Sequence, residues 1–291
     1  MKKGESIMKT TKRLASALLA AALALSFTAC SGKPAENSSS GEGGKTVVKI
    51  GVVGENSEQW EPVKAALAAD NIEIELVKFS EYSLPNQALA DGDIDLNSFQ
   101  HYAFLNKEIE EKNLDLTVIG ETIIAPLGIY SVNVQEVSQV KEGDKVAIPS
   151  DATNGGRALK LLESAGLLKM DPEVGYLGTK ADIVENPLNL DIYEVEAAQT
   201  PSLLPDVAIA VINGGHAVDA GLIPAQDAIF LESTDSSETE NNPFINVIVA
   251  RTADKDNEVY KKVVDAYHTD AVAKVIEETY KGSYLPAWTN Q

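Results

Sequence analysis

"DKVAIPSDATNGGRALKLLESAGLL", Asp144 to Leu168, is the stretch on which the fold turns. "DKVAIP" is short, apolar and β-branched, as a buried strand is. A polar loop follows, and then apolar residues at Leu159, Leu162, Ala165 and Leu168 repeat at helical spacing. Gly166 interrupts the pattern near its end. A strand that leads at once into a helix is one βα unit. Repeated units of this kind build a largely parallel sheet with helices on its faces.

The pattern recurs on both sides. Val47–Val53, "VVKIGVV", is a strand, and helix signals follow from Trp60 to Ala69. Ile72–Phe79, "IEIELVKF", alternates apolar and charged residues like a half-exposed strand. "PNQALADG" reads as a short helix, "DIDLNSF" as a short strand and "HYAFLNKEIEEKN" as a helix. Further on, Asp206–Asn213, "DVAIAVIN", is a buried strand, and "GHAVDAGL" opens another helix. Two extended apolar segments, "ETIIAPLGIYS" and Asn242–Arg251 ("NPFINVIVAR"), read as crossings between two α/β halves. A helical region, Asn257 to Tyr280, closes the chain. The expectation is a hinged pair of lobes: 47–127 with 245–291, and 128–244. A single larger sheet is the competing arrangement.

The first 30 residues have another character. From Met8, a basic start (Lys9, Lys12, Arg13) precedes the apolar run Leu14 to Ala29, which meets Cys30. This is the pattern of a secretory signal peptide, too short and Ala-rich for a membrane span. Cys30 is the only cysteine, so no intrachain disulfide forms. Its place after Thr28 and Ala29 resembles a bacterial lipobox, in which the cysteine takes a lipid and becomes the N-terminus; Phe27 departs from the usual Leu or Val. Residues 31–46, rich in Ser, Gly and Glu, read as a flexible tether. A lipid and a tether hold a globular body at a membrane surface without embedding it.

The full chain has 24 Lys+Arg and 44 Asp+Glu. Five basic residues and one acidic residue fall in the first 30, so the rest carries 19 against 43. A body this acidic disfavours nucleic acid and anionic membrane as partners.

In open α/β sheets, ligands bind beyond the carboxyl ends of the strands. Five such ends are available here: Glu55 to Trp60, Phe79 and Tyr82, Gln100 and His101, Asn154 and Arg157, and Asn213. Gly155 and Gly156 leave backbone N–H groups uncovered at a helix start, which suits an anion. Arg157 adds a planar fork that holds a carboxylate by two parallel bonds. The alternative is an exposed arginine on a helix whose glycines only ease a turn, and the residues alone weigh the two evenly.

Enzyme chemistry finds little support, and no metal or cofactor is expected. His101, His216 and His268 are far apart and lack metal-type spacing. "GVVGEN" does not continue to a dinucleotide fingerprint, and "AIPSDATNGG" has no nucleophile elbow.

Taken in order, "PNQALADGDIDLNSFQHYAFL", "PLGIYS", "AIPSDATNGGRALKLLESAGLL", "VINGGHAVDAGL" and "NPFINVIVAR" resemble the methionine-binding lipoprotein family (MetQ/NlpA), the substrate-binding proteins of ABC importers. The resemblance covers nearly the whole chain after the leader. It implies an α/β, two-lobe type II periplasmic-binding-protein fold with two crossover segments and a central cleft. It also implies a lipid-anchored protein, monomeric and not an enzyme, on the extracytoplasmic face of the cell membrane. Such a protein delivers L-methionine, a related small amino acid or a methionine-containing dipeptide to a permease driven by an ATPase. A lipoprotein enzyme or a surface adhesin on the same scaffold is the alternative.

By the same resemblance Arg157 takes the ligand carboxylate, with Asn154 as its polar neighbour and His101 the histidine of a Gln-His motif. Asn213 lies near the amino group. Phe79, Tyr82 and Phe104, with Trp60, fall where the side-chain pocket is. Two motifs depart from the family pattern. "QHYAF" has Ala103 and Phe104 for proline and tyrosine, and "NGGHA" has Gly215 and His216 for asparagine and tyrosine. These changes leave the carboxylate and ammonium clamp in place and alter the side-chain pocket.

Overall fold

The structure, a computed structural model, describes residues 44–233 and 242–288. The leader through Cys30 and most of the tether lie outside the described residues. Thr46, read as tether, already pairs with Ile72.

The strands fall into two main sheets, numbered here in chain order. The first sheet runs β13 (Leu285–Pro286), β4 (Leu116–Ile124), β12 (Ile245–Arg251), β3 (Leu96–Asn97), β1 (Thr46–Val53), β2 (Ile72–Phe79). The second runs β11 (Phe230–Leu231), β5 (Gly128–Tyr130), β10 (Ile209–Ile212), β6 (Lys145–Pro149), β9 (Asp191–Val195). A small ribbon pairs β7 (Lys169–Met170) with β8 (Ile183–Glu185). Each main sheet has a parallel part, β3-β1-β2 or β10-β6-β9, flanked by antiparallel strands. The βα units supply the parallel strands, since parallel neighbours need a crossover connection.

Both sheets are covered on both faces, and the period-2 alternation of side chains decides which residue faces which layer. In the second sheet Val146, Ile148, Ile209 and Val211 pack with Leu159 and Leu162 of α4 (Ala152–Ser164). Their neighbours Ala147, Ala210 and Ile212 face the other way, toward Ala217 of α5 (Gly214–Asp219). In the first sheet Ile50, Ile248 and Ala250 pack under α1 (Trp60–Leu67), α7 (Glu258–Tyr267) and α8 (Asp270–Tyr280). Val247 and Val249 face α2 (Pro85–Asp91) and α3 (Tyr102–Lys112). The short α6 (Pro224–Asp227) precedes β11.

Two sequence expectations change. Asn242–Arg251 is more than a crossing, because Ile245–Arg251 is an inner strand of the first sheet with Val247 to Ala250 fully buried. The closing helical region is two helices. α7 ends at Tyr267, and the Thr269 side chain caps α8 by accepting from the Val272 N–H. Among the described residues no helix is long and apolar enough to cross a membrane.

Candidate ligand-binding site

The glycines of the opening stretch act by sterics. α4 begins at Ala152, and its N-cap is Asp151, whose carboxylate accepts from the Asn154 N–H at 2.9 Å. The anion at this helix start is therefore the protein's own. The Gly155 N–H donates within the helix, to Asp151 O. A Cβ on Gly156 would sit 2.0 Å from Tyr176 O, and one on Gly155 would sit 2.9 Å from Pro149 O. Both glycines let backbone approach α4 closely, and the expectation of an open N–H nest for a ligand is corrected on this ground. Arg157 lies further into the helix, clear of its first turn.

Arg157 is buried, with a side chain only 3% exposed. Its Nε donates to Glu232 Oε1 at 2.8 Å and its Nη2 to Glu232 Oε2 at 2.5 Å. Nη2 also donates to Ala125 O at 3.1 Å. The guanidinium carbon lies 4.1 Å from the centre of the Phe244 ring. Glu232 accepts in addition from the Leu127 N–H. The two-bond face of the fork is thus taken by Glu232, which the sequence did not single out. Nη1 keeps its two N–H groups, with no partner among the described residues, and Arg157 lines the cleft.

A chain of forced hydrogen-bond assignments crosses the same cleft. A carboxylate only accepts, so Asp151 takes both of its side-chain contacts to Asn154 from the amide nitrogen, Nδ2, each at 3.0 Å. Asn154 Oδ1 then points away and must accept. It does so from Asn213 Nδ2 at 2.8 Å and from His101 Nε2 at 3.2 Å. The His101 tautomer follows from its other nitrogen, because Nδ1 accepts the Phe104 N–H at 3.1 Å and the proton therefore sits on Nε2. Burial, and next the charge of Arg157, lowers the His101 pKa to about 3, so the ring is neutral at physiological pH. With Asn213 Nδ2 spent on Asn154, Asn213 Oδ1 is left buried with no partner among the described residues. It is an acceptor waiting for a donor.

All five strand ends supply lining to this cleft: Asn56 and Gln59, Tyr82, Gln100 and His101, Asn154 and Arg157, and Asn213. Phe104 joins them, with Phe99, at ring distances of 5.9 Å from Tyr82. Two predicted residues do not line it. Trp60 is 0% exposed in the core under the first sheet, 4.9 Å from the Tyr267 ring. Phe79 packs beneath β1, against Gly51, with the cluster around Leu89 and Ile94. Asn154 and His101 are in place, but their polar atoms are consumed by each other and by Asp151, Asn213 and Phe104; they orient the site. The His101 loop is itself fixed by a buried amide network of Asn86, Asn97 and Gln100.

The cleft is spanned at its rim as well. Asp219 Oδ1, on α5, accepts from the backbone N–H groups of Glu55 and Asn56 and from Asn56 Nδ2. These bonds are solvent-exposed and join α5 to the loop after β1. Asp219 and Glu232 escaped the sequence reading because each acts on a partner at least 75 residues away. Among the described residues no group of histidine, cysteine and acidic side chains is arranged to hold a metal ion.

The pattern of the NlpA lipoprotein family matches residues 48–288. The chain belongs to this family. A relative named probable D-methionine-binding lipoprotein MetQ, from Vibrio cholerae, is 38% identical over 97% of this chain and 100% of its own length. Among solved structures, protein PG110 from Staphylococcus aureus is 45% identical, with a TM-score of 0.79 over 82% of this chain and 93% of that one. A nutrient-binding protein from Burkholderia cenocepacia, solved bound to methionine, is 38% identical, with a TM-score of 0.77 over 82% and 99%. The two-lobe substrate-binding fold of NlpA lipoproteins is the fold of this chain.

Proposed function

We propose that this protein is the substrate-binding component of an ABC importer and that its cleft takes methionine or a close relative as the free amino acid. The observation that carries this reading is the pair of open valences in one aromatic-lined cleft. Among the described residues Asn213 Oδ1 is a buried acceptor without a donor, and Arg157 bonds through Nε and Nη2 only, which leaves the cationic Nη1 without an acceptor. An α-amino acid brings an ammonium for the first and a carboxylate for the second. Tyr82, Phe99 and Phe104 offer an apolar wall for its side chain. The names of the relatives point to the same ligand class.

The rest of the assignment follows the same reading. Residues 47–127 with 245–291 form one lobe and 128–244 the other. Cys30 carries the lipid that holds the protein, as a monomer, at the extracytoplasmic face beside its permease and ATPase. The role is delivery, not catalysis.

Calorimetry with L-methionine and D-methionine tests the ligand, alongside mass spectrometry of small molecules released on denaturation. Saturable binding of either enantiomer, or its recovery from the purified protein, is the expected result. No binding by protein shown to be free of retained ligand would overturn the reading. For the anchor, Cys30→Ala should release the protein from membranes or block its processing. Unchanged fractionation and an unchanged size shift would reject the lipid.

A further inference from the structure

His216 lines the cleft beside Asn213 and has no role in the clamp. It occupies the third position of α5, one turn beyond Asn213, and lines the same cleft. It is 93% buried, since 7% of its surface remains exposed. Its Nε2 has no hydrogen-bond partner among the described residues. Burial lowers its pKa, so the ring is a neutral imidazole. Its ring packs tilted against Tyr82, with the centroids 4.8 Å apart, which places it in the aromatic wall. A buried polar nitrogen left unpaired costs free energy, and a native site tolerates one where a ligand supplies the partner.

The spacing says which part of the ligand that is. Asn213 is the extended N-cap of α5 and His216 its third residue, so the two stand roughly one helical turn, about 5 Å, apart. An ammonium held at Asn213 therefore leaves His216 about 5 Å further along the ligand. With bonds of ~1.5 Å, that reach matches the fourth atom from the amino nitrogen, the δ position of a linear side chain.

We infer that His216 is a specificity-determining residue: Nε2 hydrogen-bonds a heteroatom near the δ position of the ligand side chain, so the cleft prefers such an amino acid to its all-carbon isostere. This rests on the amino-acid reading above. The class it names is linear α-amino acids with a thioether, ether or similar polar atom at that point.

Three probes of one shape test it: L-norleucine, L-methionine and O-methyl-L-homoserine, which carry CH₂, S and O at the δ position. Calorimetry gives their affinities for wild type and for His216→Phe, which keeps an aromatic ring and removes the nitrogen. The preference for each heteroatom probe over norleucine should shrink in the variant, about three- to tenfold for the ether, as expected for one hydrogen bond. An unchanged ratio would overturn the inference while leaving the amino-acid reading intact. Failure of wild type to bind any of the three would sink that reading instead. Should His216→Phe not fold, imidazole ¹⁵N spectra of wild type decide. The Nε2 resonance should differ between the ether and norleucine complexes, and identical resonances would overturn the inference.

Discussion

Arg157→Ala is expected to weaken binding of a free amino acid by roughly 30-fold to several-thousand-fold. The range corresponds to about 2–5 kcal/mol for truncating a buried charge contact, at 1.4 kcal/mol per tenfold. Two effects combine. The ligand carboxylate loses the Nη1 donors, and Glu232, now without its countercharge, faces the incoming carboxylate as a like charge. The loss should therefore fall toward the upper part of the range. Arg157→Lys should recover only a part. A point charge cannot bond Glu232 through two nitrogens and still present a third to the cleft. Methionine methyl ester is the control, because it lacks the carboxylate charge. Wild type should strongly prefer the free acid, and Arg157→Ala should largely lose that preference. A folded Arg157→Ala protein that binds the free acid as tightly as wild type would return the arginine to a purely structural role, tying α4 to Glu232 and Ala125.

The layers of this fold were legible because they rest on local periodicity. "DKVAIP" followed by a 3.6-period apolar pattern is a βα unit whatever lies around it. The five strand ends were legible for the same reason, given the rule that ligands sit beyond them. What the sequence hid is pairing at a distance. Nothing near Arg157 announces that Glu232 occupies two of its nitrogens. Nothing near Asn213 shows that Asp151, acting through Asn154, turns its amide so that the oxygen faces the cleft. Gly–Gly at a helix start has two physical uses, and only the Asp151 cap and the backbone oxygens of Pro149 and Tyr176 packed against it tell them apart. His216 was visible as a departure from the family pattern, but its unpaired nitrogen was not. The alternation of β2 argues against Phe79 as a cleft residue. Ile72, Ile74 and Leu76 occupy one face of β2, so Phe79 must lie on the other, under β1. Trp60 was misplaced for a related reason, and it gives the sharpest test of the distinction between wall and core.

Trp60→Ala should destabilise the protein by about 3–5 kcal/mol, the usual cost of truncating a buried tryptophan. Trp60, Val63 and Leu67 stand at helical spacing, and all three are buried in the layer beneath α7 and α8. The indole packs against Tyr267, and Tyr267 against Trp288, so truncation leaves a cavity that rigid rings refill poorly. For a body of this size the melting temperature should fall by roughly 6–20 °C. Affinity should move far less. Trp60 does not line the cleft, although its ring neighbour Tyr267 does. The folded variant should hold its ligand within about tenfold of wild type, a change below 1.4 kcal/mol. Urea unfolding without ligand gives the first quantity, and calorimetry well below the midpoint gives the second. The opposite pattern, near-normal stability with binding lost, would place the indole in the ligand's pocket and contradict the packing described for α1.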